Sequence, residues 1–460
     1  MKWACVLILC MGMVVTRAAD TVVQTNAIVT ETGDSQWNDT SGTSPITGFR
    51  TPDYIDAGMK LLFPYKNIRV FNYSQSGVIP DRMLTNNVPQ EIGLWGYQSN
   101  TFQHVGILMP TDNGAYTSNQ MYFNHSNTFQ APLWLSSGDL NLVQNSGWCA
   151  ANTVDWLGIG SPPVESANGD PLTEGARNNA STNAGWRLGV RGVDSFNILS
   201  NSFAVDFAAN VGTNVQWAGA PKGGHYLNGG ALAWALTFLA QAFPSKTNVT
   251  SCVIDWNGAI VTTNNCVVSN VVIGTSLTFD EVEFSLPPPW DHAGDIVADG
   301  TITNTADLCF NLDPMFGNMF NQLLQITNLP TGNWCVKEDG EIIATISSSV
   351  LGVRWNKFRC TTGPTWRKRV DVLAKCRTKE HVNQVTLIAG SAGDQQGMVY
   401  FGSNATAQWE ANKRGDAFIA AVDSFAANVF ALDATENAAA QPVVRHMEIV
   451  PVTSYPAPFR

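Results

Sequence analysis

Ala27-Ile28-Val29-Thr30-Glu31-Thr32-Gly33-Asp34-Ser35 decides the fold reading: an apolar run followed by Gly33-Asp34-Ser35, which by itself reads as a turn after a strand. The same pattern recurs outward from it. Tyr54 to Phe63 has helical spacing, and Asn67 to Phe71 follows as a strand. Val105 to Met109 is a further strand, ending in the turn signal Pro110-Thr111-Asp112-Asn113-Gly114. Trp156 to Gly160 stops at Ser161-Pro162-Pro163, and Leu188 to Asp194 is the last strand of the series. Strands separated by helices predict a parallel α/β sheet covered on both faces. In such sheets sites form at the carboxyl ends of the strands, where Ser35, Gly77, Asp112 and Asp194 fall.

A second motif lies far away. Gly224-His225-Tyr226-Leu227-Asn228-Gly229-Gly230 opens the helical stretch Ala231 to Phe243. Asn72-Tyr73-Ser74-Gln75-Ser76-Gly77 follows the strand ending at Phe71. Together with Gly33-Asp34-Ser35 these segments resemble the ordered motifs of the SGNH (GDSL) hydrolases, over about Ala27 to Phe243. The likeness extends through a β-rich module into Gly352-Val353-Arg354-Trp355-Asn356 and the helix from Pro364, a tail similar to that of one secreted bacterial branch. It implies a three-layer α/β/α domain with a parallel sheet, a β-sandwich-like module and a helical carboxyl-terminal segment. It also implies that Ser35 is a nucleophile with His225 as its base. The N–H groups of Ser35 and Gly77, with an Asn amide, would then hold the oxyanion.

Two positions depart from that pattern. Asp112 stands where the oxyanion Asn is expected, and a carboxylate there donates no hydrogen bond and repels developing negative charge. Losing one such donor costs about 3–4 kcal/mol. Asn113 supplies the donor if the loop is shifted by one residue. Lys222 stands where an Asp should orient the imidazole; it has no acceptor for the ring N–H, and its charge disfavours the imidazolium. Asp194, at the end of a neighbouring strand, is a candidate acid, or else a turn residue or helix cap. Trp37, two residues after Ser35, is the candidate substrate wall.

The chain has 460 residues, 44% apolar and 14% charged, with a net charge of −11. That balance argues against nucleic-acid or anionic-membrane partners, which need clustered Lys and Arg. The one basic cluster, Arg367-Lys368-Arg369, reads as the solvated face of a helix. Lys2, the apolar Trp3 to Val15 and the small residues Ala18 and Ala19 read as a signal peptide, so the chain is expected to be secreted or periplasmic. No later run reaches the roughly 18 apolar residues of a membrane span.

Beyond Pro244 short strands at turn-rich spacing take over: Val253 to Trp256, Ala259 to Val261, Cys266 to Val268, Val271 to Ile273, Leu324 to Ile326, and Cys335 to Lys337 joined to Ile342 to Ala344 by the hairpin turn Asp339-Gly340. They predict a β sandwich. Pro364 to Leu387 and Asp416 to Leu432 read as helices. The expected divisions are a signal peptide at 1–19, the SGNH-like domain at 20–245, the β-rich module at 246–350 and the helical extension at 351–460. After cleavage seven cysteines remain, and the spacing of Cys252 and Cys266 suits a strand-to-strand bridge. No zinc-ligand pattern occurs, and no metal or cofactor is expected. His292 with Asp291 and Asp295 reads as a solvated loop or a cation site.

Two functions follow from the resemblance. One is a secreted serine esterase acting on an acylated small molecule or polysaccharide, with acetyl groups the expected acyl. The other is a degenerate SGNH fold that binds a glycan or protein partner without turnover. The oligomeric state is left open.

Overall fold

The computed structural model describes residues 23, 25–32, 49–72, 103–108, 154–159, 191–193, 228–291, 295–296, 302–303, 305–312, 314–393 and 415–452. The strands β1 (Asn26–Thr32), β2 (Asn67–Asn72), β3 (Gln103–Leu108), β4 (Val154–Ile159) and β5 (Arg191–Val193) form one parallel sheet in the order β2-β1-β3-β4-β5. This is the doubly wound order with β1 inside the sheet, as strand–helix alternation requires. Consecutive residues Ala27, Ile28 and Val29 are all buried, so both faces of β1 are covered. Between β1 and β2 runs α1 (Thr51–Leu62), which starts with Pro52 inside its first turn and buries every residue. After the sheet comes α2 (Asn228–Ala242), an Ala- and Gly-rich helix nearly all buried. The two helices cross at Gly58, where a β-carbon would lie 2.4 Å from Leu239 Cδ1. A larger residue there requires the Leu239 side chain to move.

The second unit is a sandwich. One sheet runs β15-β12-β6-β7, from Trp355–Asn356, Asn321–Thr327, Asn248–Asp255 and Ile260–Asn264. The other runs β14-β13-β16-β9-β8, from Glu341–Ser347, Asn333–Glu338, Val444–Pro451, Leu277–Glu283 and Cys266–Ile273. Apart from both, β10 (Asp295–Ile296) pairs antiparallel with β11 (Ile302–Thr303). Ile254, Leu324 and Ile326 of the first sheet and Leu277, Phe279, Val336, Met447 and Ile449 of the second share one core. Asp339 and Gly340 have φ of 50° and 84°, which makes the β13–β14 connection the tight hairpin expected of Asp-Gly. The stretches Cys266 to Val268 and Val271 to Ile273, read separately in the sequence, are one strand. Asn270 at φ 52° shifts the register between Ser269 and Val272 without ending the strand.

Among the described residues the remaining α-helices are α3 (Thr305–Leu312), α4 (Pro314–Asn318), α5 (Ser348–Leu351), α6 (Pro364–Gly393) and α7 (Gly415–Ala440). α6 and α7 pack on each other and on α1, and α7 also meets β2. The chain then returns as β16, between β13 and β9, so the last described segment is a strand of the sandwich.

Two sequence expectations are corrected. Arg367-Lys368-Arg369 is not a solvated face. Arg367 is exposed and paired with Glu341 at 2.6 Å, and Lys368 donates to the Gln441 carbonyl. Arg369 is 1% exposed, donates to the carbonyls of Phe358 (3.2 Å) and Pro288 (2.7 Å), and lies 5.1 Å from the centre of the Phe358 ring. Burial pulls its guanidinium down to about 10. Cys252 and Cys266 are buried free thiols, not a bridge. Cys252 stands opposite Thr263 on β7, while Cys266 directs its Sγ to the Ser251 carbonyl at 3.3 Å.

Candidate active site

Every residue singled out for chemistry in the sequence, Ser35, Trp37, Gly77, Asp112, Asn113, Asp194, Lys222 and His225, lies outside the described residues. The described frame carries the chain to each of them. β1 ends at Thr32, three residues before Ser35, and β2 ends at Asn72, five before Gly77. β3 ends at Leu108, four before Asp112, and β5 ends at Val193, one before Asp194. Register makes the first three ends level, with Glu31 opposite both Asn72 and Ile107 and Thr32 opposite Leu108. Neighbouring strands lie about 4.8 Å apart, so the carboxyl ends of β2, β1 and β3 lie side by side along one edge of the sheet. Two polar residues at that edge, Glu31 and Asn72, are fully buried.

The start of α2, three residues after His225, is held by a contact that motif reading missed. Tyr54 of α1 donates its hydroxyl to Asn228 Oδ1, and both residues are 0% exposed. The Phe49 ring packs on Tyr54 with centroids 5.9 Å apart. Asn228 lay inside the quoted Gly224–Gly230 segment, but a tyrosine 174 residues earlier is not foreseeable from local pattern.

α1 is in turn fastened to the carboxyl-terminal helices by buried charge. Lys60 Nζ lies 2.9 Å from Asp56 and 2.6 Å from Asp433, and also pairs with Glu436. Lys379 of α6 pairs with Asp56, with Asp433 at 2.8 Å and with Glu436 at 3.4 Å. Asp433 also accepts from the Val70 N–H of β2 at 3.4 Å, and Asn437 donates to the Ile68 carbonyl at 2.9 Å. Burial would raise the Asp56 carboxyl, but the ammonium groups of Lys379 and Lys60 outweigh it and hold it below its ordinary value. For Glu436 burial wins over the same two lysines and pushes it up to about 7. Lys60 is raised because Asp433, Asp56 and Glu436 overcome its own burial. Asp56, Cys376 and Glu436 present three ligand-type atoms within 4.8 Å of one another. The two ammonium groups already neutralise that donor set, and burial raises the Cys376 thiol well above its usual value, so the cluster works as an ion network and suits no added cation.

A second buried charge group lies in the sandwich. On β9 the inward face runs Leu277, Phe279, Glu281, Glu283, apolar at one end and acidic at the other. Lys357 meets Glu281 at 2.7 Å and Glu283 at 3.1 Å, while Thr250 and Gln322 donate to Glu283 at 2.8 and 2.6 Å. Burial pushes Glu281 up to about 7 against the pull of Lys357.

A gut microbial diltiazem-metabolizing enzyme is similar over 94% of this chain and 99% of its own, with a TM-score of 0.66 and 17% identity. That likeness shows the fold alone: this chain shares its arrangement of α/β and β-rich parts with that protein along nearly its whole length. A protein described as a GDSL-like lipase from Parabacteroides merdae is 11% identical over 48% of this chain and 98% of its own, at a TM-score of 0.33. The acetylxylan esterase Axe2 from Geobacillus stearothermophilus is 14% identical over 47% and 95%, at 0.32. Likenesses at that level carry no weight beside the first. No protein-family model matches the chain, and no curated protein matches it. Among the described residues no helix is long and apolar enough to cross a membrane.

Proposed function

We propose that the chain is an exported serine ester hydrolase of the SGNH type. The observation that supports it is the level carboxyl-terminal edge of β1, β2 and β3, whose last residues precede Ser35, Gly77 and Asp112 in the sequence by three, five and four positions. An extended chain spans at most about 3.6 Å per residue. The Ser35 Cα therefore lies within about 11 Å of the Thr32 Cα, and the His225 Cα within about 11 Å of the anchored Asn228 Cα. That the similar gut microbial protein is an enzyme that metabolises diltiazem supports turnover over passive binding.

In this reading Ser35 Oγ attacks the ester carbonyl carbon while its proton passes to His225. The tetrahedral oxyanion is held by the N–H groups of Ser35 and Gly77 and by the Asn113 amide. Collapse breaks the carbon–oxygen bond to the alcohol, which leaves with the proton from His225. Water then attacks the acyl-serine, gives a proton to His225, and releases the carboxylic acid as that proton returns to Ser35. Asp194 orients the imidazole in place of the residue that Lys222 replaces, and Trp37 walls the acyl pocket. The substrate class is an acylated small molecule or polysaccharide, with acetyl the favoured acyl group. The domain divisions at 20–245, 246–350 and 351–460 belong to the same proposal, as does cleavage of 1–19 on export.

Asp112 and Lys222 favour the second reading, a fold that binds a glycan or partner without turnover. Incubation with a fluorophosphonate ester separates the two. The proposal expects a single adduct, mapped by mass spectrometry to Ser35 and lost in His225→Ala. A chain that stays unlabelled while still retaining acetylated xylan on a column supports the binding reading.

A further inference from the structure

We propose that the β7–β8 edge of the sandwich docks a second copy of this chain, by antiparallel pairing of the two β7 strands across a two-fold axis. Among the described residues β7 pairs only with β6 and β8 only with β9, so each is the last strand of its sheet. All five residues of β7, Ile260-Val261-Thr262-Thr263-Asn264, are exposed. None joins the sandwich core. On β8, Val267, Val272 and Ile273 are exposed as well. The two edges adjoin, because Gly258 in the β6–β7 turn approaches so closely that a β-carbon would lie 2.6 Å from Ile273 Cδ1. The result is one β-branched strip with a row of backbone N–H and C=O groups along it.

Edge strands of soluble proteins are ordinarily blunted by charge, proline or a cover. Among the described residues this edge has none of these. No Asp, Glu, Lys, Arg, His or Pro occurs between Asp255 and Asp280, in a chain whose net charge is −11. The β6 residues facing β7 across the ladder, Ser251, Cys252, Val253 and Ile254, are uncharged too. Two copies of so acidic a chain repel one another over most approaches, and repulsion is least where a neutral face meets a neutral face. A row of strand groups is matched by another strand, and antiparallel pairing of identical edges is the self-complementary arrangement that two-fold symmetry demands. Charge and geometry therefore select a second copy over a charged peptide. Pairing over five residues spans about 17 Å and joins two four-stranded sheets into one, with Val267, Val272 and Ile273 flanking it. A contact of this size is at the small end for stable complexes.

The test is sedimentation velocity on the intact chain over a concentration series reaching about 100 µM, beside Val261→Lys, Thr263→Lys and, as a control, Val353→Lys. Val353 is exposed and lies off this edge, between α5 and β15. All altered side chains are exposed, and circular dichroism checks that each variant keeps the fold. The expected result is a concentration-dependent dimer whose dissociation constant rises at least tenfold in both edge variants and stays unchanged in Val353→Lys. A wild-type chain that stays monomeric throughout, or a dimer that the edge lysines leave intact, overturns the proposal. So does a monomer in which Val261→Lys abolishes binding to a polysaccharide, which would assign the face to a glycan.

Discussion

Lys379→Met keeps most of the side-chain volume and removes one of the two cations from the buried network that ties α6 and α7 to α1. Lys379 faces Asp56, Asp433 and Glu436, and its loss leaves Lys60 as the remaining ammonium among these three carboxylates. Removing one partner of a buried ion pair costs about 3–5 kcal/mol, and the loss at pH 8 is expected within that range. Its pH dependence follows from Glu436. Unfolded, this carboxyl titrates near 4.5, and folded near 7. Between those values the unfolded chain has released a proton that the folded chain keeps. The stability that Glu436 contributes is thus present below about 4.5 and lost as pH rises through about 7. Lys379 is the strongest charge holding Glu436 down. In the variant the proton is retained to higher pH, and at pH 5 it removes one of the unmatched negative charges. Asp56, held below its ordinary value, loses its contribution only in more acidic solution. Urea unfolding followed by tryptophan fluorescence at pH 5 and pH 8 reads both effects, with an unchanged slope confirming that only stability moved. A deficit under about 1 kcal/mol at pH 8, or an equal deficit at both pH values, would refute the closed network.

Tyr54→Phe removes the hydroxyl that donates to Asn228 Oδ1; stability should fall by about 0.5–1.5 kcal/mol, and kcat for ester hydrolysis should fall with KM little changed. A loss confined to stability would mean that the start of α2 is not set by this contact. Gly58→Ala should destabilise by about 1–3 kcal/mol in thermal unfolding, and combined with Leu239→Ala the two losses should sum to less than their separate costs, since Leu239 Cδ1 is the atom struck. Alkylation with iodoacetamide in urea, without reductant, should modify both Cys252 and Cys266. In the folded chain both should resist, because burial pushes the Cys266 thiol up to about 12 and raises Cys252 as well. A Cys252–Cys266 disulfide peptide in the unreduced digest would contradict the structure.

Local chemistry was legible from sequence wherever the cause is local. The five parallel strands, α1, α2 and the Asp339-Gly340 hairpin follow from apolar runs, helical spacing and two residues that accept positive φ. Features set by distant partners were not legible. Arg369 looks like part of a charge run, and only the Phe358 and Pro288 carbonyls at the junction of the two units make its burial tolerable. Asp56 and Lys60 form an ordinary i,i+4 pair on α1 until Lys379, Asp433 and Glu436 close over them from beyond residue 370. Val444–Pro451 takes its strand position between β13 and β9, both of which lie more than 100 residues earlier in the chain. For the candidate site, motif spacing marked the strand ends, and the register of β1 with β2 and β3 supplies the alignment that spacing alone cannot give. The Tyr54–Asn228 anchor needed the fold.

The most direct test of the central claim is hydrolysis of p-nitrophenyl acetate by the purified chain, measured beside Ser35→Ala. The account predicts a rate well above buffer that disappears in Ser35→Ala. Equal rates for the two proteins would contradict it and leave a fold that binds without turnover.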